Sequence, residues 1–153
     1  PRAVVDATHP FAARITARTA RICAARGLPF LRLERPGWTP GPGDRWTWVA
    51  SGDEAAAHVP PGATVFLATG RQTLGQYAAL TGRRYLRVID RPAGPFPYPG
   101  DWVVARMPFT VEGEVDLFRR LAIDVLVAKD AGGQDGQAKL AAARVLGLPV
   151  LLV

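Results

Sequence analysis

The sequence is poor in the residues that most often carry covalent or metal chemistry. Its 153 residues include one cysteine, Cys23, one serine, Ser51, and two histidines, His9 and His58. A single cysteine forms no intrachain disulfide and no multi-cysteine metal site, so a reducing cytoplasm is the expected compartment. No Gly-x-Ser-x-Gly elbow occurs, and no His, Cys, Asp or Glu cluster has metal-ligand spacing. A serine hydrolase and a metal site are therefore not expected.

Long apolar runs are also missing. No stretch of about 18 apolar residues occurs, so no transmembrane helix is expected, and no signal peptide is visible. Hydrophobic residues make up 48% of the chain, which is typical of a globular protein with a real core. The chain has no initiator methionine, and predicted strands lie at both ends. We therefore expect a piece trimmed at both ends.

Lysine occurs only at Lys129 and Lys139, so arginine carries most of the net charge of +6. The planar guanidinium of arginine suits carboxylate and phosphate oxygens. An anionic ligand would explain this composition, and so would a high-GC genome. No basic run interleaved with aromatic residues is present, so nucleic acid is not an expected partner.

Apolar runs alternate with helical patterns along the whole chain. This alternation predicts an α/β fold with parallel sheets and helices on both faces. Breaker-rich loops near 36–44 and 91–100 suggest two lobes. The predicted strands cover 3–6, 28–35, 45–50, 63–69, 83–90, 102–107, 123–130 and 148–153, and the predicted helices cover 10–27, 52–59, 71–82, 110–122 and 136–147.

Four turns follow the carboxyl ends of predicted strands, where open α/β sheets bind their ligands. These turns cover 6–10, 69–73, 107–112 and 129–136. In the second of them, Gly70 allows close backbone approach, and Arg71 adds a charge beside a helix N-terminus. A phosphate suits this turn, although a plain strand–helix turn would have the same sequence.

The last turn is rich in glycine and carries both lysines of the chain. Lys129 and Asp130 end a strand, Gly132 and Gly133 follow, and Lys139 lies early in the next helix. Such a loop suits a polyanion, and a solvated surface loop is the alternative. Neither a G-x-G-x-x-G motif nor a P-loop motif is present.

The opening turn combines an acid with a histidine. Thr8 or His9 is expected to cap a helix whose first residue is Pro10. Asp6 stands where catalytic acids often lie, and His9 titrates near neutral pH. Both could equally be structural turn residues. Arg14 places a cation in the first helical turn, against the helix dipole, which suggests a ligand role.

Five segments follow one another along the chain: "DATHPFAARIT", "LPFLRLERPGW", "VFLATGRQTL", "RMPFT" and "KDAGGQDGQAKLAAARVLGLPV". Together, and in this order, they resemble the precorrin-6A reductases of cobalamin synthesis. The resemblance implies a two-lobed, Rossmann-like oxidoreductase in which residues 1–35 end an N-terminal lobe and residues 36–153 form the second. It also implies NADPH as cofactor and reduction of a double bond of precorrin-6A, or of its cobalt-containing counterpart, to the 6B form.

The resemblance assigns roles to residues of the turns and of the arginine-rich strands. It implies Asp6 and His9 as catalytic residues. The expected cofactor-binding residues are Thr8, Thr69, Gly70, Arg71, Lys129, Asp130, Gly132 and Gly133. The expected substrate-binding residues are Arg14, Arg32, Arg35 and Lys139.

The expected partner is a small tetrapyrrole, with no nucleic acid and no membrane, and the expected assembly is a monomer or a weak homodimer. Two alternatives stay open. One is a non-redox, two-lobed tetrapyrrole enzyme like uroporphyrinogen III synthase, and the other is an α/β module that only binds a polyanion.

Overall fold

The computed structural model describes residues 1–134 and 136–153 and divides them into two compact units. Unit 1 comprises Pro1–Trp38 and Ala131–Gly133, and unit 2 comprises Thr39–Asp130 and Gln134–Val153. The lobe boundary expected after residue 35 stays a prediction.

Unit 1 is built on two short parallel strands joined by a helix. Strand β1 is Val4–Asp6, helix α1 is Ala13–Ala25 and strand β2 is Phe30–Arg32. The strands pair so that Asp6 lies opposite Arg32. Parallel neighbours require a crossover connection, and α1 supplies it.

The predicted start of α1 is wrong by three residues. The helix begins at Ala13 rather than Pro10, and its N-cap, Ala12, makes no side-chain capping hydrogen bond. Thr8 does not cap it, because the amide and the hydroxyl of Thr8 both donate to Asp6. His9 does not cap it either, because its Nδ1 accepts the amide of Phe11 within a tight turn.

Unit 2 contains a parallel sheet of six strands, which confirms the α/β class. The strands lie in the order β3-β8-β7-β4-β5-β6, and every paired neighbour is parallel. They are β3 Trp46–Trp48, β4 Val65–Ala68, β5 Arg84–Val88, β6 Gly100–Val104, β7 Val125–Ala128 and β8 Val150–Leu152.

Within the described residues of unit 2, three α-helices and one 3₁₀ helix connect these strands. The α-helices are α2 Gly52–His58, α3 Val111–Arg120 and α4 Gln137–Leu146. The hydroxyls of Ser51 and Thr110 cap α2 and α3 by accepting backbone N–H groups. This capping accounts for the only serine of the chain.

The α-helix predicted over 71–82 is instead a 3₁₀ helix, Arg71–Tyr77. The Thr73 hydroxyl contacts the Gly70 carbonyl at 2.9 Å, and Gly75 lies inside the segment. A side chain that bonds to the backbone and a glycine both weaken α-helical order. The tighter and shorter helix is the result.

Both faces of the six-stranded sheet are covered. On one face, Leu67, Leu86 and Val127 pack with Tyr77 of the 3₁₀ helix in the main buried cluster. On the other face, the ring of Phe66 lies 4.9 Å from that of Phe118, in α3. None of the helices in the described ranges is both long and apolar enough to cross a membrane.

Candidate functional site

The order in which the chain adds strands to the sheet of unit 2 reverses between the parallel neighbours β4 and β7. The chain runs from β4 to β5 on one side, whereas it runs from β7 to β8 on the other. Ala68 and Ala128 pair at the ends of these two neighbours, so Thr69 and Lys129 emerge side by side. Ligands of open α/β sheets bind at such a switch point. Two of the predicted turns therefore meet where the topology favours a ligand.

The turn after β4 presents an open backbone beside a cation. Thr69 is buried and lies 2.8 Å from the Thr73 hydroxyl. Gly70 has φ of +88°, and no heavy atom outside its immediate neighbours lies within 4 Å of where its Cβ would be. The positive φ favours glycine at this position. Arg71 follows and is exposed, so an anion can approach both the backbone and the charge.

The turn after β7 contributes one cation and one anchored acid. Burial lowers the pKa of Lys129. The Asp130 carboxylate accepts the Trp48 indole N–H at 3.1 Å, and its amide donates to the Val153 carbonyl. These bonds tie Asp130 to the ends of β3 and β8. Of Lys129 and Asp130, Lys129 is thus the residue whose positive charge favours an anion.

Gly132 and Gly133 belong to unit 1 and are needed there for close packing. Their φ values are +62° and +76°. A Cβ on Gly132 would lie 2.1 Å from the Pro36 carbonyl oxygen, and one on Gly133 would lie 2.8 Å from Nη1 of Arg35. The Trp38 indole donates to the Gly133 carbonyl at 2.7 Å. Packing against residues 35–38 therefore explains both glycines.

The opening turn holds Asp6 as a carboxylate. Asp6 is only 6% exposed, and its Oδ1 accepts the Thr8 hydroxyl at 2.7 Å and the Thr8 amide at 3.0 Å. The nearby hydroxyl of Thr16, followed by the bonds from Thr8, lowers the pKa of Asp6 against the opposing effect of burial, and the charge of Arg32 adds to the lowering. The structure thus brings Asp6, Thr8 and Arg32 together.

His9 lies beside this carboxylate in the sequence and has a defined tautomer. Its Nδ1 accepts the Phe11 amide at 3.2 Å, so a neutral His9 carries its proton on Nε2. Arg32 donates to the Pro10 carbonyl and to Glu34, each at 2.8 Å. Arg32, one of the arginines predicted to bind substrate, therefore already makes a hydrogen bond and an ion pair within the protein.

Arg14 lies in the first turn of α1 and is exposed. No acid occupies that first turn, so no carboxylate of α1 balances the positive end of the helix dipole. This environment favours an external anion near Arg14.

A buried ionic cluster lies beneath the carboxyl edge of the sheet, and two of its members, Arg87 and Glu114, were not predicted from the sequence. Arg87 of β5 donates two hydrogen bonds to Glu114 of α3, at 2.9 and 2.7 Å. The two side chains are 11% and 4% exposed. The guanidinium lies 4.2 Å from the ring centroid of Phe109 and 4.8 Å from that of Phe66. A charged residue inside the apolar strand "YLRVI" was the signal that could have revealed it.

Lys139 belongs to this cluster. Its Nζ donates to the Gly136 carbonyl at 2.8 Å. Burial lowers its pKa to about 8, the charge of Arg87 adds to the lowering, and Glu114 opposes it. Lys139 therefore has internal partners, in addition to any role toward substrate. No group of three or more His, Cys, Asp or Glu side chains within 1–134 and 136–153 is placed to hold a metal ion.

A parallel sheet whose switch point carries an open glycine turn and two cationic side chains defines an α/β protein with positive charge at its carboxyl edge, where open α/β sheets bind their ligands. The model of one family, described as "Precorrin-6x reductase CbiJ/CobK", matches residues 1–153, and the chain belongs to that family.

Named relatives agree with this assignment. The chain is 48% identical to the precorrin-6A reductase of Rhodobacter capsulatus, over 98% of this chain and 61% of that protein. It is 45% identical to the precorrin-6A reductase of Rhodococcus erythropolis, over 99% of this chain and 62% of that protein. A solved structure described as "CobK precorrin-6A reductase" superposes with a TM-score of 0.93 at 47% identity, covering 99% of this chain and 63% of that one. The chain thus spans slightly less than two thirds of these relatives.

Proposed function

We propose that this protein acts as an NADPH-dependent reductase that converts precorrin-6A to precorrin-6B. The observation that carries the proposal is the family match over residues 1–153, together with relatives named precorrin-6A reductase at 48% and 45% identity. The position of two predicted turns at the switch point of the sheet supports it. Because the chain spans less than two thirds of those relatives, the activity is proposed for the full-length protein.

Reduction of a carbon–carbon double bond needs a hydride on one carbon and a proton on the other. NADPH supplies the hydride when it is bound. Asp6 is ionised at neutral pH because its pKa is lowered, so it is a poor proton donor. Its Oδ2 is buried and makes no hydrogen bond within the described residues, so Asp6 acts through its negative charge and not by direct hydrogen bonding to the macrocycle. His9 is the better proton donor of the pair.

The residues at the switch point fit a phosphate-bearing cofactor. The open side of Gly70 admits a phosphate close to the backbone, and Arg71 and Lys129 supply positive charge. We assign Thr69, Gly70, Arg71 and Lys129 to the cofactor.

Four other residues predicted to bind the cofactor have internal contacts that position neighbours instead. Thr8 binds Asp6, Asp130 binds Trp48, and the glycines at 132 and 133 allow close packing in unit 1. We therefore propose Thr8, Asp130, Gly132 and Gly133 as positioning residues.

The charge of unit 1 fits a polycarboxylate substrate. Its residues include seven arginines and only two acids, Asp6 and Glu34, so unit 1 carries most of the excess positive charge of the chain. Precorrin-type tetrapyrroles carry several carboxylates, and arginine binds such groups through paired hydrogen bonds. We assign Arg14, Arg32 and Arg35 to the substrate.

The direct test is to incubate the full-length protein with NADPH and precorrin-6A and follow absorbance at 340 nm. We expect NADPH oxidation that depends on the substrate, with no oxidation when the macrocycle is omitted. A protein that binds the macrocycle without oxidising NADPH would contradict the proposal. Calorimetry with NADPH alone separates it from a synthase-like enzyme, which needs no nucleotide.

A further inference from the structure

Arg84, the first residue of β5, is a buried cation with no acidic partner in the part of the chain that the structure describes. The residue is 2% exposed, and its Nε and Nη1 are buried without a hydrogen-bond partner there. Its amide donates to the Pro99 carbonyl at 2.9 Å, which fixes the backbone. Arg84 lies at the amino end of the strand, opposite the edge that carries the candidate site.

One aromatic ring contacts this cation, and a pair of aromatic residues follows on the neighbouring segment. The Arg84 guanidinium lies 4.3 Å from the ring centroid of Tyr98. Phe96 packs edge-on against Trp102 at 4.8 Å. Trp102 also has a buried indole N–H without an acceptor in the described residues.

The register of the sheet places the two unpaired donors on one face. Arg84 pairs with Gly100, and the residue two positions on, Leu86, pairs with Trp102. Side chains two residues apart along a strand point to the same face, and diagonal neighbours on adjacent strands are within reach of long side chains. Arg84 and Trp102 therefore lie on the same face of the sheet as diagonal neighbours.

A guanidinium stays protonated at any pH at which the protein is folded. Burying such a charge without a counter-charge is strongly unfavourable, and the cation–π contact with Tyr98 offsets only part of that cost. A water molecule could accept the free N–H groups, but it would leave the charge uncompensated. A small anion would satisfy both the hydrogen bonds and the charge.

We propose that Arg84 binds a small inorganic anion of the size of chloride, on the face of β5 and β6 that Arg84 shares with Trp102, with Tyr98 and Trp102 as aromatic neighbours. Because the two free guanidinium nitrogens are buried, a macrocycle or a nucleotide does not fit beside them, and a small anion reaches them only when a neighbouring aromatic side chain shifts to admit it. The role of this site is to stabilise the fold at the amino end of the sheet, and it does not depend on the reductase activity.

Thermal unfolding of the full-length protein tests the proposal. Gluconate is replaced by chloride at constant ionic strength. We expect the Tm of the unmodified protein to rise saturably by about 3 °C, as a ligand at about ten times its Kd produces in a chain of this size. Arg84→Met should abolish the rise. The matched control Arg83→Met, which alters the exposed neighbour, should keep it. Equal rises in the protein and in the Arg84 variant would overturn the proposal.

Anomalous diffraction gives a second test that does not require the variant to fold. Crystals of the full-length protein are soaked in bromide, which replaces chloride and scatters anomalously. We expect a bromide peak within hydrogen-bond distance of Nε or Nη1 of Arg84. Ordered water without anomalous signal at that position would overturn the proposal.

Discussion

The Arg87 guanidinium binds the Glu114 carboxylate through two hydrogen bonds, of 2.9 and 2.7 Å, which join β5 to the first turn of α3. Removing one partner of a buried pair leaves the other charge uncompensated. We expect Glu114→Gln to lower the free energy of unfolding by about 3 kcal/mol in urea titrations. The control Asp90→Asn breaks a similar but exposed contact with Arg106 and should cost less than about 1 kcal/mol. Equal losses of unfolding free energy in Glu114→Gln and Asp90→Asn would contradict a stabilising role for the buried Glu114 carboxylate.

Lys139 should make stability rise with pH above about 8. Its pKa is about 8 in the folded protein and 10.5 ordinarily. The unfolded chain therefore binds more protons between these values, and stability increases with pH across that window. The full difference corresponds to about 3 kcal/mol. Urea titrations at pH 8 and pH 10 should show this slope, and Lys139→Met should reduce it to the part that Lys129 contributes, because burial also lowers the pKa of Lys129. An unchanged slope in the variant would rule out Lys139 as its source.

Gly70→Ala should strain the turn after β4 without creating a clash. Gly70 has φ of +88° and ψ of 152°, yet nothing lies within 4 Å of an added Cβ, so the cost is that of the backbone alone, about 1–3 kcal/mol. Gly75→Ala is the matched control, since Gly75 also faces open space but has no positive φ. Thermal unfolding measures stability, and calorimetry measures NADPH binding. We expect Gly70→Ala to weaken both and Gly75→Ala to weaken neither.

Much of the fold was predictable because burial on both faces makes the central strands continuous apolar runs. The runs around Val65–Ala68 and Val125–Ala128 are read directly from the sequence. The start of α1 was not predictable from capping rules, because Thr8 bonds to Asp6 instead of to the helix. Local competition between two polar side chains decided that outcome.

The candidate site was predictable only in part, for a topological reason. Turns such as 69–71 and 129–130 could be located because each follows a strand. The pairing of Arg87 with Glu114 depends on which strand neighbours which helix, over 27 residues of sequence. The order of strands in the sheet determines that neighbourhood, and no local pattern encodes it.

Asp6→Asn should reduce turnover at every pH without unfolding the protein. The amide oxygen of asparagine can still accept the Thr8 amide and hydroxyl, which bond to Oδ1 of Asp6. The negative charge is lost, however, and we expect kcat of the full-length enzyme to fall about tenfold or more. Because the pKa of Asp6 is below its usual value, the shape of the pH profile between pH 5 and 9 should not change. A variant with unchanged kcat would remove Asp6 from the catalytic set.

His9→Gln should lower the kcat of the full-length enzyme. The side-chain amide of glutamine is too weak an acid to donate a proton to carbon, so we expect a kcat lower by about 100-fold. The control is His58→Gln, because His58 is exposed on α2 and its Nδ1 lies 2.9 Å from the Glu54 carbonyl, and this variant should keep its kcat. If His9→Gln also keeps its kcat, the proton comes from another group or from solvent.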